Sequence, residues 1–115
     1  MRRRVFDALM AQFDVHATTG RNTAGTRFVV VVQSARYDGR TSRVVIPLVV
    51  LSPRELDKEL TPPFRIAGRD VHLNPLGILT VPLTALSRLV GSLGDDTSSN
   101  AIIKAIDELI TRAYG

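Results

Sequence analysis

The sequence contains no cysteine and no tryptophan, and its aromatic residues are limited to four phenylalanines and two tyrosines. The absence of cysteine excludes disulfide bridges, thiolate nucleophiles and cysteine-ligated zinc, and it fits a reducing cytoplasm. No apolar run approaches the roughly 20 residues that a helix needs to cross a bilayer, so we expect a cytoplasmic protein with no membrane contact. The 115 residues suit one domain with a modest core.

Positive charge is in excess, with a formal net charge of +4 at neutral pH, a balance typical of proteins that bind nucleic acids. Three of the arginines fall within Met1–Leu9, and the rest of the chain carries 12 basic and 10 acidic residues. Because a second methionine follows at Met10, we interpret residues 1–9 as an extension from an upstream start or a loose basic arm. Residues 10–115 then form a single domain, with no sequence-specific nucleic acid binding expected.

Two apolar runs rich in β-branched residues, Phe28–Val32 and Val44–Leu51, dominate the middle of the chain. Asp38-Gly39 lies between them and is a signal for a short turn, so we predict a central hairpin. All residues of Val29–Val32 are apolar, so both faces of this strand need cover from a second sheet, a helix or another subunit. Pro47 predicts an edge position or a bulge late in the second strand.

Shorter elements surround this hairpin. Strands are predicted over Gln12–Thr18, Phe64–Ile66, Val71–Leu73 and Ile78–Leu83. The second and third of these flank Ala67-Gly68-Arg69-Asp70 and form a second hairpin candidate. One or two helical turns are predicted within Pro53–Leu60, and either a strand or a helical turn over Leu86–Gly91. Asp95–Ser99 supplies the acidic and hydroxyl residues that begin a helix. After it, one helical face is apolar at Ile102, Ala105, Ile106, Leu109, Ile110 and Ala113. The fold class predicted is mainly β with a C-terminal α-helix.

The sequence carries no recognisable catalytic constellation. His16 and His72, the only histidines, each lie within a strand pattern, and we interpret them as half-exposed strand residues rather than ligands. No zinc spacing, phosphate-binding loop or dinucleotide-binding turn is present, so we expect no enzyme, no metal and no cofactor. The arginines around the hairpin suit either phosphate binding or the charged rim of a loop; they are Arg27, Arg36, Arg40 and Arg43.

Six short motifs follow one another from Met10 to the terminal helix. They are Met10–Val15, Val32–Ser34, Arg43–Leu48, Glu59–Pro62, Leu79–Pro82 and Ala105–Asp107. In this order they resemble the CcdB family, the toxins of plasmid- or chromosome-borne bacterial toxin–antitoxin pairs. Gln33-Ser34 together with Arg43–Leu48 is the specific part of the resemblance.

The resemblance implies an SH3-like barrel, shared with the MazF endoribonucleases, with a long C-terminal helix. It also implies a homodimer, and we expect the central hairpin and the terminal helix to lie near its interface. A toxin of this kind is not an enzyme. It is a topoisomerase poison that binds the A subunit of DNA gyrase and traps gyrase on cleaved DNA, it serves plasmid maintenance, and a disordered antitoxin, CcdA, neutralises it.

The same resemblance implies a set of gyrase-binding residues. Ser34 matches a position that lines the gyrase surface in the family. Alignment on Ala105-Ile106-Asp107 assigns the end of the terminal helix to gyrase contact, through Asp107, Thr111, Arg112, Ala113, Tyr114 and Gly115. Arg112 stands where the family has glycine, whereas a shift of two residues makes Tyr114-Gly115 the expected aromatic–glycine pair. Asp14 and His16 match neighbouring contact positions but differ in residue type.

Three alternatives stay open. The first is a MazF-like endoribonuclease toxin on the same barrel, with Arg27 or Arg43 binding phosphate and a base still to be identified. The second is a detoxified CcdB relative that still dimerises and still binds its antitoxin. The third is a generic small barrel that binds nucleic acid, which the low number of aromatic residues and the concentration of charge in Met1–Leu9 disfavour.

Overall fold

The computed structural model describes residues 11–19 and 27–111, which form seven strands and one α-helix. The strands are β1 Asp14–Thr18, β2 Phe28–Val31, β3 Ser42–Val49, β4 Pro63–Ile66, β5 Arg69–Leu73, β6 Leu79–Pro82 and β7 Leu86–Ser92, and the helix is α1 Asp96–Thr111. Single 3₁₀ turns lie at Ala35–Tyr37, Pro53–Glu55, Pro75–Gly77 and Leu83–Ala85. The mainly β class with a C-terminal helix is confirmed, and Leu86–Gly91 is a strand. The segment Pro53–Leu60 forms only its first short turn.

The sheet is antiparallel throughout and has the order β4-β5-β3-β2-β1-β7, with β6 also pairing with β3. Strand β3 is the centre of this arrangement because one of its edges carries two partners. Its first half, Ser42–Val45, pairs with β6, and Leu48-Val49 pairs with β5. Its other edge pairs with β2. The sheet therefore curls into a half-barrel, in agreement with the SH3-like barrel that was predicted.

Pro47 lies neither on an edge strand nor at a bulge, because the register between β2 and β3 runs without a shift along this segment, so the predicted edge or bulge was wrong. It pairs with Val29 inside the sheet, and its carbonyl accepts a 2.9 Å hydrogen bond from the Asn74 amide. The nitrogen and carbonyl of a strand residue point to the same side. The proline nitrogen therefore faces the gap between β6, which pairs up to Val45, and β5, which pairs from Leu48. A donor is not needed there.

The central hairpin forms as predicted, with Val30 opposite Ile46, but Asp38-Gly39 is not its tight turn. The connection runs from residue 32 to residue 41 and contains the 3₁₀ turn Ala35–Tyr37. Asp38 has right-handed backbone angles, with φ −63° and ψ −19°, whereas a two-residue turn of the favoured type needs positive φ at both central residues. A longer loop replaces it.

A genuine two-residue turn joins β4 and β5. Ala67 and Gly68 have φ angles of 52° and 79°, which suits the right-handed twist of the two strands. Ile66 then pairs with Arg69 and Arg65 with Asp70. The second hairpin predicted from the sequence is therefore confirmed.

We expect Gly68→Ala to lower the free energy of unfolding by about 1 kcal/mol, because an L-residue is disfavoured at this positive φ. A methyl group there would meet no atom within 4 Å, so the cost comes from backbone conformation alone. Urea unfolding measures it. An unchanged midpoint would show that the turn relaxes to another conformation.

Both faces of the sheet are covered within the chain, as the apolar run in β2 required. The main core lies under α1 and contains Val15, Ala17, Phe28, Val30, Ile46, Leu48, Ile66, Val71, Leu73, Leu93, Ile102 and Ala105. The opposite face carries a smaller cluster of Val29, Val31, Val45 and Leu86, with Val81 and Leu83 packed against it. Another subunit is thus not required to cover Val29–Val31.

Helix α1 begins as predicted, because the Ser98 amide donates a 3.0 Å hydrogen bond to the Asp95 carboxylate. This bond lowers the pKa of Asp95.

Ile102 and Ala105 are buried on the sheet, but Ile110 is 58% exposed, so its place on the apolar face of α1 was predicted wrongly. Ala113 lies outside the described residues. Within those residues, no helix has the length and apolar content needed to cross a bilayer.

Candidate functional site

The loop between β2 and β3 is held in shape by the side chain of Gln33. The Val32 amide donates to the Val44 carbonyl at 3.0 Å, and the Gln33 Oε1 then accepts from the Val44 amide at 3.0 Å. Gln33 Nε2 donates to the Tyr37 carbonyl at 3.0 Å and to the Ser42 carbonyl at 3.4 Å. A side-chain amide therefore extends the strand pairing and closes the loop.

Ser34 lies at the surface at the start of the 3₁₀ turn. Its Oγ accepts a 3.2 Å hydrogen bond from the Arg36 amide, and its carbonyl accepts one of 2.9 Å from the Tyr37 amide. The hydroxyl group can still donate a hydrogen bond, since the contact with Arg36 uses it as an acceptor. Ser34 is thus exposed to solvent, and its contact with gyrase stays a prediction.

Arg43 holds the same loop from the inside. Its side chain is fully buried. Nη1 donates to the carbonyls of Arg40 at 2.9 Å and Ser42 at 3.0 Å, and Nη2 donates to the Asp38 carbonyl at 2.9 Å. A guanidinium enclosed in this way cannot reach a phosphate on an RNA, so Arg43 does not serve the endoribonuclease alternative in the way that was predicted.

An open groove of about 410 Å³ borders the loop, lined by Gln33, Tyr37, Arg40, Ser42, Val44 and Thr80. Tyr37 is 48% exposed, and Ser34, Arg36 and Arg40 are also exposed. We refer to these four exposed residues as the loop patch. No carboxylate lines the groove, and tyrosine and arginine are common at the centres of protein interfaces. The loop patch is therefore chemically suited to a protein partner.

His16 is buried, with 1% of its surface exposed, so its interpretation as a half-exposed residue was wrong. Its Nδ1 lies 3.3 Å from the Ser87 carbonyl, and Nε2 has no hydrogen-bond partner among the described residues. His16 pairs with Val29, on the face that the smaller cluster covers. A side chain enclosed there cannot contact gyrase. His72 is half-buried in β5, as predicted.

Asp14 stands half-buried at the start of β1. Its Oδ2 accepts a 3.2 Å hydrogen bond from the Ala11 amide. Burial raises the pKa of the Asp14 carboxyl, and the Ala11 hydrogen bond and the nearby His16 offset only part of this effect. The charged form of Asp14 is thus less favourable in the folded chain than in the unfolded one.

We expect Asp14→Asn to raise the melting temperature at neutral pH, because it removes a partly desolvated charge and keeps an acceptor for Ala11. A carboxyl whose pKa is raised by folding weakens the fold above that pKa, and this penalty disappears in acid, where the group is protonated in both states. The increase in melting temperature should therefore become smaller as the pH falls through the raised pKa of Asp14 towards the ordinary pKa of an aspartate side chain. Thermal melts across acidic pH test this, and a gain that grows on acidification would contradict it.

Ser34 lies at the end of the sheet where α1 begins. The Phe13 amide donates to the Val31 carbonyl at 2.6 Å, and the Phe13 carbonyl accepts from the Leu93 amide at 2.8 Å. Leu93 lies three residues before Asp96, the first residue of α1. Phe13 therefore links two segments by hydrogen bonds. One is the end of β2, after which the chain continues to Ser34, and the other is the segment before α1.

The second half of α1 lies towards the opposite end of the sheet. Lys104 Nζ is 3.9 Å from Glu59 Oε2. Glu59 belongs to the loop between β3 and β4. This loop follows the end of β3 at which Leu48 pairs with Phe28, whereas Ser34 follows the other end of the same strand pair. Asp107 lies further along the helix than Lys104, so one chain does not bring Ser34 and Asp107 together.

Asp107 belongs to an exposed stripe that the sequence analysis missed. Ile103 and Ile110 are 50% and 58% exposed, and with Asp107 they share one helical face by spacing. We refer to these three residues as the helix patch. Ile103 falls outside the apolar periodicity of the buried face, which is the signal that could have identified it.

The end of the predicted contact region is not described. Thr111 is the last residue of α1, and its side chain lies outside the described residues together with Arg112, Ala113, Tyr114 and Gly115. Their proposed contacts stay predictions. Within residues 11–19 and 27–111, no group of three or more histidines or carboxylates is placed to hold a metal ion.

Comparison with known proteins relates this geometry to one family. The sequence model of the CcdB family, described as CcdB protein, matches residues 12–112. A search among curated proteins gave no match. The matched segment contains the β2–β3 loop with Ser34, the whole half-barrel and α1. Because the match spans most of the chain, this protein belongs to the CcdB family.

Proposed function

We propose that this chain is the toxin of a type II toxin–antitoxin system that binds the A subunit of DNA gyrase and traps gyrase on cleaved DNA. The observation that carries the proposal is the CcdB family match over residues 12–112. The toxin acts by binding and not as an enzyme. A CcdA-like antitoxin neutralises it, and both act in the bacterial cytoplasm, where gyrase works.

Trapping follows from differential binding. A ligand shifts an equilibrium only by as much as its affinity differs between the two states. A toxin that binds the cleaved gyrase–DNA complex about 100-fold more tightly than the resealed complex stabilises cleavage by roughly 2.7 kcal/mol. The loop patch and the helix patch are the surfaces that we assign to this recognition. An antitoxin that covers either patch excludes gyrase by competition.

The toxin is further proposed to be a homodimer. Val29–Val31 no longer motivates this, because the chain covers both of its faces itself. The support comes instead from Leu76, Ile78 and Leu79, which are 72%, 41% and 44% exposed. The turn that carries Leu76 packs against α1, so a dimer through this apolar surface would place two helices near its axis.

Light scattering at micromolar concentration should give twice the 12.6 kDa mass of the chain. Leu76→Asp should shift the protein towards monomer, because it places a charge in the proposed apolar interface. Leu89→Asp is the matched control, since Leu89 is 43% exposed and lies on β7, which β3, β2 and β1 separate from β5 and β6 in the sheet. A wild-type monomer, or equal dissociation by both variants, would contradict this interface.

A growth assay tests the proposed function. Expression of the chain should stop growth and induce DNA damage, and co-expression of the neighbouring open reading frame should restore growth. Growth arrest with fragmented messenger RNA and intact DNA would favour the endoribonuclease alternative. Normal growth, together with stable binding of the neighbouring gene product, would identify a detoxified relative. Arg112 stands where the family has glycine, and this departure motivates that alternative.

A further inference from the structure

The buried arginine of the family motif, Arg43, has no part in the function proposed so far. Its side chain is fully enclosed on the face of the sheet that also holds Val45. Enclosing a cation is less favourable than enclosing an apolar side chain of similar volume, unless its donors find acceptors. The role of Arg43 is therefore to be found in the groups that it holds.

Three of those groups belong to the loop that presents the loop patch or to its junction with β3. They are the carbonyls of Asp38, Arg40 and Ser42, which accept hydrogen bonds from Arg43 at 2.9 to 3.0 Å. Only a planar guanidinium offers donors in a fixed fork that reaches several acceptors at once. Lysine, with one ammonium group, cannot reproduce this geometry.

Gln33 holds the same loop from the β2 side, through its hydrogen bonds to Val44, Tyr37 and Ser42. The loop therefore has its backbone fixed on two sides, while Ser34, Tyr37 and Arg40 face outward. A loop that is ordered before binding does not lose that conformational freedom when a partner arrives, so its affinity is higher.

We propose that Arg43 is a positioning residue for partner recognition: it fixes the β2–β3 loop in the conformation in which the loop patch binds gyrase or antitoxin. The proposal rests on the proposed function, because it assigns the loop patch to those partners. Arg43 itself does not touch the partner.

The test compares Arg43→Lys with Val71→Ala, a core variant in β5 that serves as a control for lost stability. Both are measured for melting temperature, for amide NMR shifts of residues 34–40, and for affinity towards gyrase A and the neighbouring gene product, well below every melting temperature. We expect Arg43→Lys to shift those amides and to weaken binding at least tenfold. Val71→Ala should lower the melting temperature and bind like wild type.

Unshifted loop amides, or Arg43→Lys binding within twofold of wild type, would overturn the positioning role while the proposed function stands. A wild-type chain that binds neither partner would overturn the proposed function, and the inference with it. If Arg43→Lys does not fold, Gln33→Ala takes its place, because it removes the hydrogen bonds that hold the loop from the β2 side. Shifted loop amides together with wild-type affinity in that variant would show that the loop conformation does not set binding, and would equally overturn the proposal.

Discussion

Ending the chain at Ile110 is expected to abolish growth inhibition while lowering the melting temperature by less than about 5 °C, which corresponds to a loss of roughly 1 kcal/mol or less. The described helix residues that hold α1 on the sheet are Ile102 and Ala105, and Ile110 is already 58% exposed. Terminal residues beyond the packed face usually contribute little to stability. Growth on induction and thermal melting of the purified variant are the two measurements.

Tyr114→Ala in the full-length chain is the matched point variant, since an aromatic residue is a common anchor in a protein interface. It should reduce toxicity with an unchanged melting temperature. Full toxicity of the truncated chain would show that residues 111–115 do not contact gyrase. A melting temperature lowered far beyond the expected range would show that these residues belong to the core.

Arg43→Met is expected to lower the free energy of unfolding by about 1–3 kcal/mol, the scale of polar groups that lose their hydrogen-bond partners. The carbonyls of Asp38, Arg40 and Ser42 lose the donors of the guanidinium, and this loss outweighs the lower cost of enclosing an apolar side chain in place of a cation. Arg54→Met changes an exposed arginine and should stay within about 0.5 kcal/mol of wild type. Equal midpoints for the two variants in urea would show that the Arg43 contacts contribute nothing to the fold.

Several elements could be predicted from the sequence because their signals are local. The β-branched run of β2, the Ala67-Gly68 turn and the apolar spacing of α1 each depend on neighbouring residues only. His16 was assigned the wrong environment because alternation along β1 separates two faces but does not show that both are covered. Such cover is a property of the whole curled sheet.

The loop at Asp38-Gly39 was misinterpreted for a related reason. The dipeptide favours a tight turn, but Arg43 and Gln33 supply a stronger set of hydrogen bonds to a longer loop. Pro47 was misplaced because the change of partner along β3 depends on strands that are distant in sequence. Local propensity gives way to tertiary hydrogen bonding in both cases.

The candidate site could be predicted only in part. Ser34 was assigned to gyrase contact by its match to the family motif; its side chain is exposed, and the contact stays a prediction. The hydrogen bonds by which Gln33 and Arg43 hold the loop could not be predicted, because the positions of the carbonyl groups that they bind depend on the folded loop backbone. The separation of Ser34 from Asp107 likewise depends on the direction in which α1 crosses the sheet.

The burial of Arg43 also bears on the choice between toxin mechanisms. An endoribonuclease on this fold needs an exposed cation for phosphate, and of the two arginines assigned to that role only Arg27 is exposed. Burial thus removes Arg43 from that role, whereas Arg27 and the loop arginines Arg36 and Arg40 are exposed. The growth assay and the state of the messenger RNA decide between the two mechanisms.

The most direct measurement is a DNA cleavage assay with purified gyrase, ATP, supercoiled plasmid and the full-length chain. Added toxin should convert supercoiled plasmid to linear DNA when the reaction is stopped with detergent and protease, and the neighbouring gene product should prevent this. If no linear DNA forms at micromolar toxin and gyrase continues to supercoil, the chain is not a gyrase poison.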